Sequence, residues 1–194
     1  MAPEPFEVLL ASFMSNSAKV AELLERTGTS TATLTELRTR FGAQLLAPPS
    51  IDFFASRLPR AGIDDEFDLA LSVPSDTRRH RFSLSLWAAF DLGVLVGDGG
   101  PPYCPHFVRK RHQPPPDAID IASLSPWGTT VEEVFARFGE PATDERWDFA
   151  RWICYGPPEA CMLTFDLGLL QEVVSMPEGI ADLAIHTSTS SQGM

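Results

Sequence analysis

Two groups of side chains in the sequence have the residue types of a metal site. The acidic segment 64–68 holds four carboxylates, but it lacks the glycine and the distal glutamate of a calcium-binding loop. Cys104, His106 and His112 offer three zinc ligands, yet their spacing matches no standard zinc motif and the sequence offers no evident fourth ligand. We therefore predict neither a bound metal nor a cofactor.

The sequence carries none of the common signatures of enzyme chemistry. It contains no HExxH, GxSxG, GxGxxG or P-loop pattern, and none of its cysteines lies in a known nucleophile signature. We predict a protein that is not an enzyme and has no catalytic residue. A small enzyme with a site outside these motifs, near His80 or around Asp65 and Asp68, is the alternative that the residues leave open.

Aromatic and charged side chains near residue 150 indicate a contact surface for another protein. Read as one strand, residues 147–155 place Trp147 on an apolar face and Trp152 beside Asp148 on the opposite face. An exposed Trp is a frequent hot spot of protein interfaces, and carboxylates around it attract basic partners. The predicted partner-binding residues are Asp144, Glu145, Asp148, Arg151 and Trp152.

Charge is distributed unevenly along the chain. The 194 residues carry a formal net charge of −11, of which residues 1–116 contribute −1 and residues 117–194 contribute −10. An acidic surface repels phosphate backbones and attracts basic proteins, so we expect a basic protein partner and no binding to nucleic acid or membranes. The short basic runs 78–81 and 109–111 are expected to form solvated turns or internal ion pairs.

Composition, cysteine count and the N-terminal residues predict a cytoplasmic protein. The chain is 44% hydrophobic, an ordinary globular value, and its three cysteines do not resemble a secreted disulfide framework. The first residues lack the cationic region of a signal peptide, and no apolar run approaches the ~18 residues of a membrane span. Cys154 and Cys161 are predicted to lie opposite each other across a hairpin as packed thiols.

Apolar spacing and capping residues predict short helices in three places. Residues 6–24 form one broken helix or two short ones, because the helical apolar period resumes after a polar interruption. Residues 33–36 and 130–133 each match the capping box that begins a helix. Gly42 and Gly139 are expected to end these two helices.

The two capped helices open a possible internal repeat. Residues 33–42 and 130–139 are identical at five of ten positions, and the Phe-Asp-Leu-Gly segments 90–95 and 165–170 follow them in the same order. The longer spacing in the first half requires insertions there. We expect a tandem repeat, and the alternative is similarity that arises because capped helices and strands share the same physics.

Alternating apolar residues predict the strands, and composition predicts the boundaries of the domains. The predicted strands are 67–73, 82–88, 147–155, 160–166 and 169–176, with 156–159 as a four-residue hairpin loop. The fold class is therefore α+β, with two related halves that each contain short helices followed by an antiparallel β-meander. The predicted organisation is an N-terminal half (1–100), a Pro-rich linker (101–116), an acidic module (117–186) and a flexible tail (187–194).

The order of motifs in residues 130–173 resembles a known small module. A helix of the form T-x-E-E-V-x-x-x-F-G-x-P is followed by W-x-x-x-x-W-x-x-Y-G, then L-x-F, then a final strand. The residues that carry the likeness are Thr130, Glu132, Glu133, Val134, Phe138, Gly139, Pro141, Trp147, Trp152, Tyr155, Gly156, Leu163, Phe165 and Val173. The pattern is similar to the α+β module shared by SmpA/OmlA-type lipoproteins, β-lactamase inhibitor proteins and many bacterial toxin-immunity proteins.

The resemblance implies a function in binding another protein. In the inhibitor members, two tandem modules join their sheets into a concave, aromatic and acidic face that grips an enzyme, and no catalytic residue belongs to the family. The present sequence lacks the export signal and lipid-anchored cysteine of the lipoproteins, and its first half fits only with long insertions. We predict an immunity protein that neutralises a bacterial toxin by steric occlusion, with an adaptor or assembly protein as the alternative.

Overall fold

The computed structural model of the protein describes residues 5–65, 74–118, 120–147 and 149–176. Within these ranges the helices are α1 (Pro5–Ala11), α2 (Ser17–Thr27), α3 (Thr31–Leu46), α4 (Asp52–Ala55) and α5 (Val131–Phe138). The strands are β1 (Arg60–Asp64), β2 (Arg78–Ser83), β3 (Phe90–Val96), β4 (Tyr103–Arg109), β5 (Thr143–Trp147), β6 (Ala150–Tyr155), β7 (Cys161–Asp166) and β8 (Leu169–Ser175). The predicted α+β class is confirmed.

Contacts divide the chain into two compact units between Pro114 and Pro115. The first unit contains α1 to α4 and an antiparallel sheet in the order β1-β2-β3-β4. The second contains a 3₁₀ turn (Ile121–Ser123), α5 and an antiparallel sheet in the order β5-β6-β7-β8. The predicted strand at 67–73 and the predicted tail at 187–194 lie outside the described residues.

The polar interruption within residues 6–24 separates helix α1 from helix α2. The side chain of Asn16 accepts a hydrogen bond from the Lys19 backbone N–H (3.0 Å) and so begins α2 as a separate helix. Of the two alternatives left by the sequence, two short helices is therefore the one that forms. Helix α1 is buried along nearly its whole length, with Leu9 and Leu10 fully enclosed.

Helix α3 begins earlier and ends later than the sequence predicted. Its N-cap is Ser30, which accepts a bond from the Thr33 backbone N–H (3.1 Å), and the helix runs through Gly42 to Leu46. The residues after Gly42, Ala-Gln-Leu-Leu, are good helix formers, so this glycine does not terminate the helix. The capping box at 33–36 and the predicted stop at Gly42 are therefore wrong.

Helix α5 follows its sequence signals closely. The Thr130 side chain accepts a bond from the Glu133 backbone N–H, and the Glu133 carboxylate accepts one from the Thr130 N–H (2.8 Å). Gly139, at φ 77°, ends the helix, and Pro141 lies two residues beyond. The predicted capping box and stop are confirmed here.

The predicted strand at 82–88 is wrong, because backbone N–H groups in this segment bind a buried carboxylate instead of a neighbouring strand. Strand β2 ends at Ser83, and the backbone N–H groups of Ser85 and Leu86 donate to the Glu7 carboxylate at 2.7 to 2.9 Å. Glu7 is only 2% exposed, so these bonds also satisfy its buried oxygens. Donors that would have extended the strand are instead used to hold α1.

The Pro-rich segment 101–116 is not a linker through most of its length. Residues Tyr103–Arg109 form β4, which pairs with β3 in the register Leu92↔Phe107 and Gly93↔His106. The Gly- and Pro-rich residues 97–102 are the connection between these two strands. Composition correctly predicted a break in regular structure at this connection. The predicted end of the N-terminal half, residue 100, is too early, because the first unit extends to Pro114.

The predicted strand 147–155 is in fact two strands. Strand β5 ends at Trp147 and pairs back onto β6, with Trp147 opposite Ala150 and Glu145 opposite Trp152. Residues that are directly paired point to the same side of a sheet, so Asp144 lies on the side of Ile153 and Glu145 on the side of Trp152. The prediction of a single strand is therefore wrong.

The register of the next hairpin differs by one residue from the prediction. Five residues, 156–160, connect β6 to β7, so Cys161 lies opposite Tyr155 and Cys154 opposite Met162. A shift of one residue moves a side chain to the other face. Cys161 is buried and Cys154 half-buried on the opposite face, and the predicted direct opposition of the two thiols is wrong.

The core of the second unit lies between its sheet and helix α5. Val131 and Val134 of the helix pack with Ile153, Leu163 and Phe165 of the sheet. The Tyr155 hydroxyl donates to the Gly139 carbonyl at 2.8 Å, which ties β6 to the end of the helix. Burial raises the pKa of Tyr155 to about 12, so the hydroxyl remains protonated and able to donate.

The Phe-Asp-Leu-Gly landmarks of the possible repeat have different structures. Residues 90–93 lie inside one strand, where Gly93 faces His106 across the pair. Residues 165–168 end β7 and form the turn into β8, with both Leu167 and Gly168 at positive φ. The two halves share helices followed by a four-stranded antiparallel sheet, and the tandem repeat stays a prediction.

Candidate partner-binding surface

The predicted contact residues are split between the two faces of the second sheet. Asp144 and Arg151 lie on the face that packs against α5, where the Arg151 guanidinium stacks over the Phe135 ring at 4.7 Å. Arg151 donates two bonds of 2.7 Å to the two oxygens of Asp144, one from Nε and one from Nη2. This pair joins β5 to β6 within the second unit, and the contact role of Asp144 and Arg151 stays a prediction.

The environment of Asp144 keeps its carboxylate charged. The side chain is 29% exposed, and Arg146 adds a third bond at 3.1 Å. Burial would raise the pKa of Asp144, but the hydrogen bonds from Arg151 and Arg146 outweigh it and hold the pKa below its ordinary value. Its negative charge is thus paired with two guanidinium groups, the buried one of Arg151 and the more exposed one of Arg146.

The opposite side of the sheet, which we call the open face, carries the other two described contact residues. Trp152 is 36% exposed and lies directly across the strand pair from the exposed Glu145. The exposed or half-buried residues that the structure describes on the open face are Thr143, Glu145, Ala150, Trp152, Cys154, Met162, Thr164, Glu172 and Val174. The predicted exposure of Trp152 is confirmed, and Asp148 lies outside the described residues.

The open face combines apolar area with negative charge. Val174 is 37% exposed, and Met162 and Cys154 lie half-buried between it and Trp152. Among the described side chains of this face that are exposed or half-buried, two are acidic, Glu145 and Glu172, and none is basic. Asp166, paired with Ala150, is also acidic but is buried. Met162, Glu172 and Val174 were not predicted from the sequence. Their alternation with the buried Leu163 in β7 and the half-buried Val173 in β8 would have indicated them.

Asp64 of the candidate cation segment forms an ion network in the first unit with arginines of the two basic runs. Asp64 is 8% exposed and is paired with Arg79 (2.9 Å), Arg81 (3.4 Å) and Arg111 (2.6 Å). Burial would raise the pKa of Asp64, but the hydrogen bonds from Arg111 and Arg79 outweigh it and hold the pKa below its ordinary value. Internal ion pairing, one of the two expectations for these runs, is the one that forms.

The candidate zinc ligands do not converge. Cys104 and His112 are exposed, whereas His106 is 4% exposed and its Nδ1 lies 2.7 Å from the Cys104 carbonyl oxygen. Burial lowers the pKa of His106 to about 4. Across the described part of the chain, no group of three His, Cys, Asp or Glu side chains is placed to hold a metal ion.

The surroundings of His80 were the alternative location for an enzyme site. His80 lines a surface cavity of about 670 Å³ together with Asp65, Asp76 and Asp98. Asp76 accepts a bond from the Asp98 backbone N–H at 3.0 Å, which shapes the connection rather than orienting a base. Burial, followed by the charges of Arg60 and Arg78, lowers the pKa of His80.

Comparisons with known proteins find no match to this chain among protein-family models, curated proteins or solved structures. No helix among the described residues is long and apolar enough to cross a bilayer.

Proposed function

We propose that this protein is a non-catalytic inhibitor that binds another protein through the open face of its second sheet. The observation that carries the proposal is the exposed Trp152 in an apolar strip, on a face whose two exposed charged residues among those described, Glu145 and Glu172, are acidic. The partner is a basic protein, and its active surface is blocked by steric occlusion. The most specific form of the proposal is a cytoplasmic immunity protein that neutralises a bacterial toxin.

The physical chemistry of the open face supports a protein partner. A buried Trp contributes a large apolar area with few rotatable bonds, and such residues dominate interface energies. Residues 117–194 carry a net charge of −10, which speeds the encounter with a basic protein at low salt. The resemblance of residues 130–173 to the inhibitor and immunity-protein module supports the same class of function.

Other features support the cytoplasmic form of the proposal. The cysteines Cys104, Cys154 and Cys161 are free thiols rather than disulfides. Free thiols persist in a reducing compartment, where a toxin made by the same cell must be neutralised.

The test begins with purification of the partner from the native host and continues with purified components. Surface plasmon resonance would compare the wild-type protein with Trp152→Ala, Glu145→Lys and the control Glu25→Lys, which makes the same charge change on the exposed side of α2. We expect Trp152→Ala to weaken binding by about 30-fold through faster dissociation, which corresponds to a hot spot of ~2 kcal/mol. Glu145→Lys should slow association, and Glu25→Lys should change association much less.

Two outcomes would contradict the proposal. If Glu145→Lys and Glu25→Lys slow association equally, only the overall charge of the protein matters and the open face is not the interface. If Trp152→Ala leaves the affinity of the complex unchanged, Trp152 is not a hot spot of the interface. If the partner is harmless to cells that lack this protein, the adaptor or assembly alternative replaces the immunity function while the same surface is retained.

A further inference from the structure

A polar pocket lies at one end of the first sheet, far in sequence from the open face. Its volume is about 360 Å³, and it is lined by Ala61, Arg81, Ser83, Asp91, Lys110, Arg111 and His112. The lining comes from the starts of β1 and β3, the end of β2 and the residues that follow β4. Three of the seven lining residues are Lys or Arg, in a chain whose overall charge is strongly negative.

The cations of the pocket are held in position by backbone carbonyls and buried carboxylates. The Lys110 ammonium donates to the Leu84 carbonyl at 3.0 Å, and Arg111 donates to the Ile63 carbonyl at 3.2 Å. Arg81 is 5% exposed and donates to Asp91 at 3.0 Å. Such groups lose little conformational entropy on binding an anion, unlike mobile surface lysines.

The positive charge of the pocket exceeds its negative charge. Arg81, Lys110 and Arg111 are set against two carboxylates, those of Asp64 and Asp91. Among the residues that the structure describes, Lys110 has a carbonyl partner but no carboxylate within 4 Å. A neutral carbonyl orients an ammonium group without cancelling its charge, so Lys110 is poised to attract an anion.

We propose that this pocket binds a small oxyanion, of which phosphate is the simplest. Lys110 and Arg111 pair with its charged oxygens. The volume leaves room for an organic group attached to the phosphate, so the ligand is either free phosphate or a phosphomonoester. Sulfate has a similar shape and charge, so it should bind in the same place.

The chain contains only two lysines, Lys19 and Lys110, which allows a measurement with an internal control. The intact protein would be acetylated with an N-hydroxysuccinimide ester, with phosphate, sulfate, glycerol phosphate or chloride present at equal ionic strength. Mass spectrometry of the two lysine peptides gives each rate. A bound anion raises the pKa of a neighbouring ammonium, and each pKa unit lowers the reactive fraction about tenfold, so phosphate should slow Lys110 by about that factor.

The outcomes decide each part of the proposal. Lys19 pairs with Glu22 on the surface of α2, so its rate should be the same in all four salts. Equal rates for Lys110 in phosphate and chloride would overturn the site, and so would equal rates in sulfate and chloride. Protection by glycerol phosphate that exceeds protection by phosphate would identify an ester as the preferred ligand.

Isothermal titration calorimetry with Lys110→Gln and the matched control Lys19→Gln gives an independent test. Phosphate binding should be lost in the first variant and kept in the second, with far-UV circular dichroism to verify that both are folded. Binding retained by a folded Lys110→Gln variant would contradict the proposal.

Discussion

Two adjacent carboxylates of β5 should have very different effects on stability. Asp144 lies on the helix side of the sheet in a two-bond ion pair with Arg151, whereas Glu145 projects from the open face. We therefore compare Asp144→Asn with Glu145→Gln, because both changes remove one negative charge and almost preserve shape. A sequence-based interpretation that treats both residues as contacts predicts the same small effect for each.

The magnitude follows from the Arg151 guanidinium, which is 9% exposed and would lose its charged partner. Breaking a fully buried pair costs about 3 to 5 kcal/mol, and the 29% exposure of Asp144 lets water compensate part of this, so we expect a loss of about 2 kcal/mol. Glu145→Gln should change stability by less than about 0.5 kcal/mol. For a domain of this size, about 2 kcal/mol lowers the melting temperature by roughly 8 to 16 °C.

The assay is thermal unfolding followed by tryptophan fluorescence, since three of the four tryptophans lie in the second unit. The difference between wild type and Asp144→Asn should be complete at pH 7. It should shrink as the pH falls through the lowered pKa of Asp144, because the paired carboxylate is then protonated. Equal melting temperatures for the two variants at pH 7 would refute the assignment of the two faces.

Three further predictions concern the buried interior and the thiols. Gly93→Ala should destabilise the first unit by about 1 to 3 kcal/mol in urea unfolding, because the added Cβ would lie 2.9 Å from the side chain of Arg79. The pKa of His106 is lowered to about 4, so the unfolded chain binds a proton at a higher pH than the folded chain does. The free energy of unfolding should therefore fall by about 3 kcal/mol as the pH is lowered from 6.5 to 4, and this pH dependence should be weaker in His106→Gln. Burial raises the pKa of Cys161 to about 11, so alkylation monitored by mass spectrometry at pH 8 should modify the exposed Cys104 first; equal rates would contradict the packing of Cys161.

Helix α5 shows which features of the fold were predictable from the sequence. Its start and stop depend on groups that are close along the chain, namely the reciprocal Thr130 and Glu133 bonds, Gly139 and Pro141. Helix α3 contains the same Arg-Phe-Gly sequence, but Gly42 is followed by helix-forming residues and stays helical. A local signal is reliable only where its neighbours along the chain agree with it.

Trp152 and Asp144 show the same limit for the candidate surface. The alternation within β6 placed Trp152 on the exposed face correctly, because parity holds within one strand. Asp144 belongs to the separate strand β5, outside the predicted strand 147–155, and its pairing with Ile153 places it on the helix side of the sheet. That pairing joins two strands across a turn, so alternation within one strand does not predict it.

The sequence by itself determined the α+β class, the caps of α5, the exposure of Trp152 and the concentration of negative charge in the second unit, because each depends on composition or on neighbours within a few residues. Tertiary structure decided where strands end and which charges remain available. Glu7 captures the backbone near residue 85, about eighty positions away, and Asp64 gathers arginines from β2 and from beyond β4. The energies of such buried polar contacts depend on enclosure by distant parts of the chain, and no local pattern of residues encodes that enclosure.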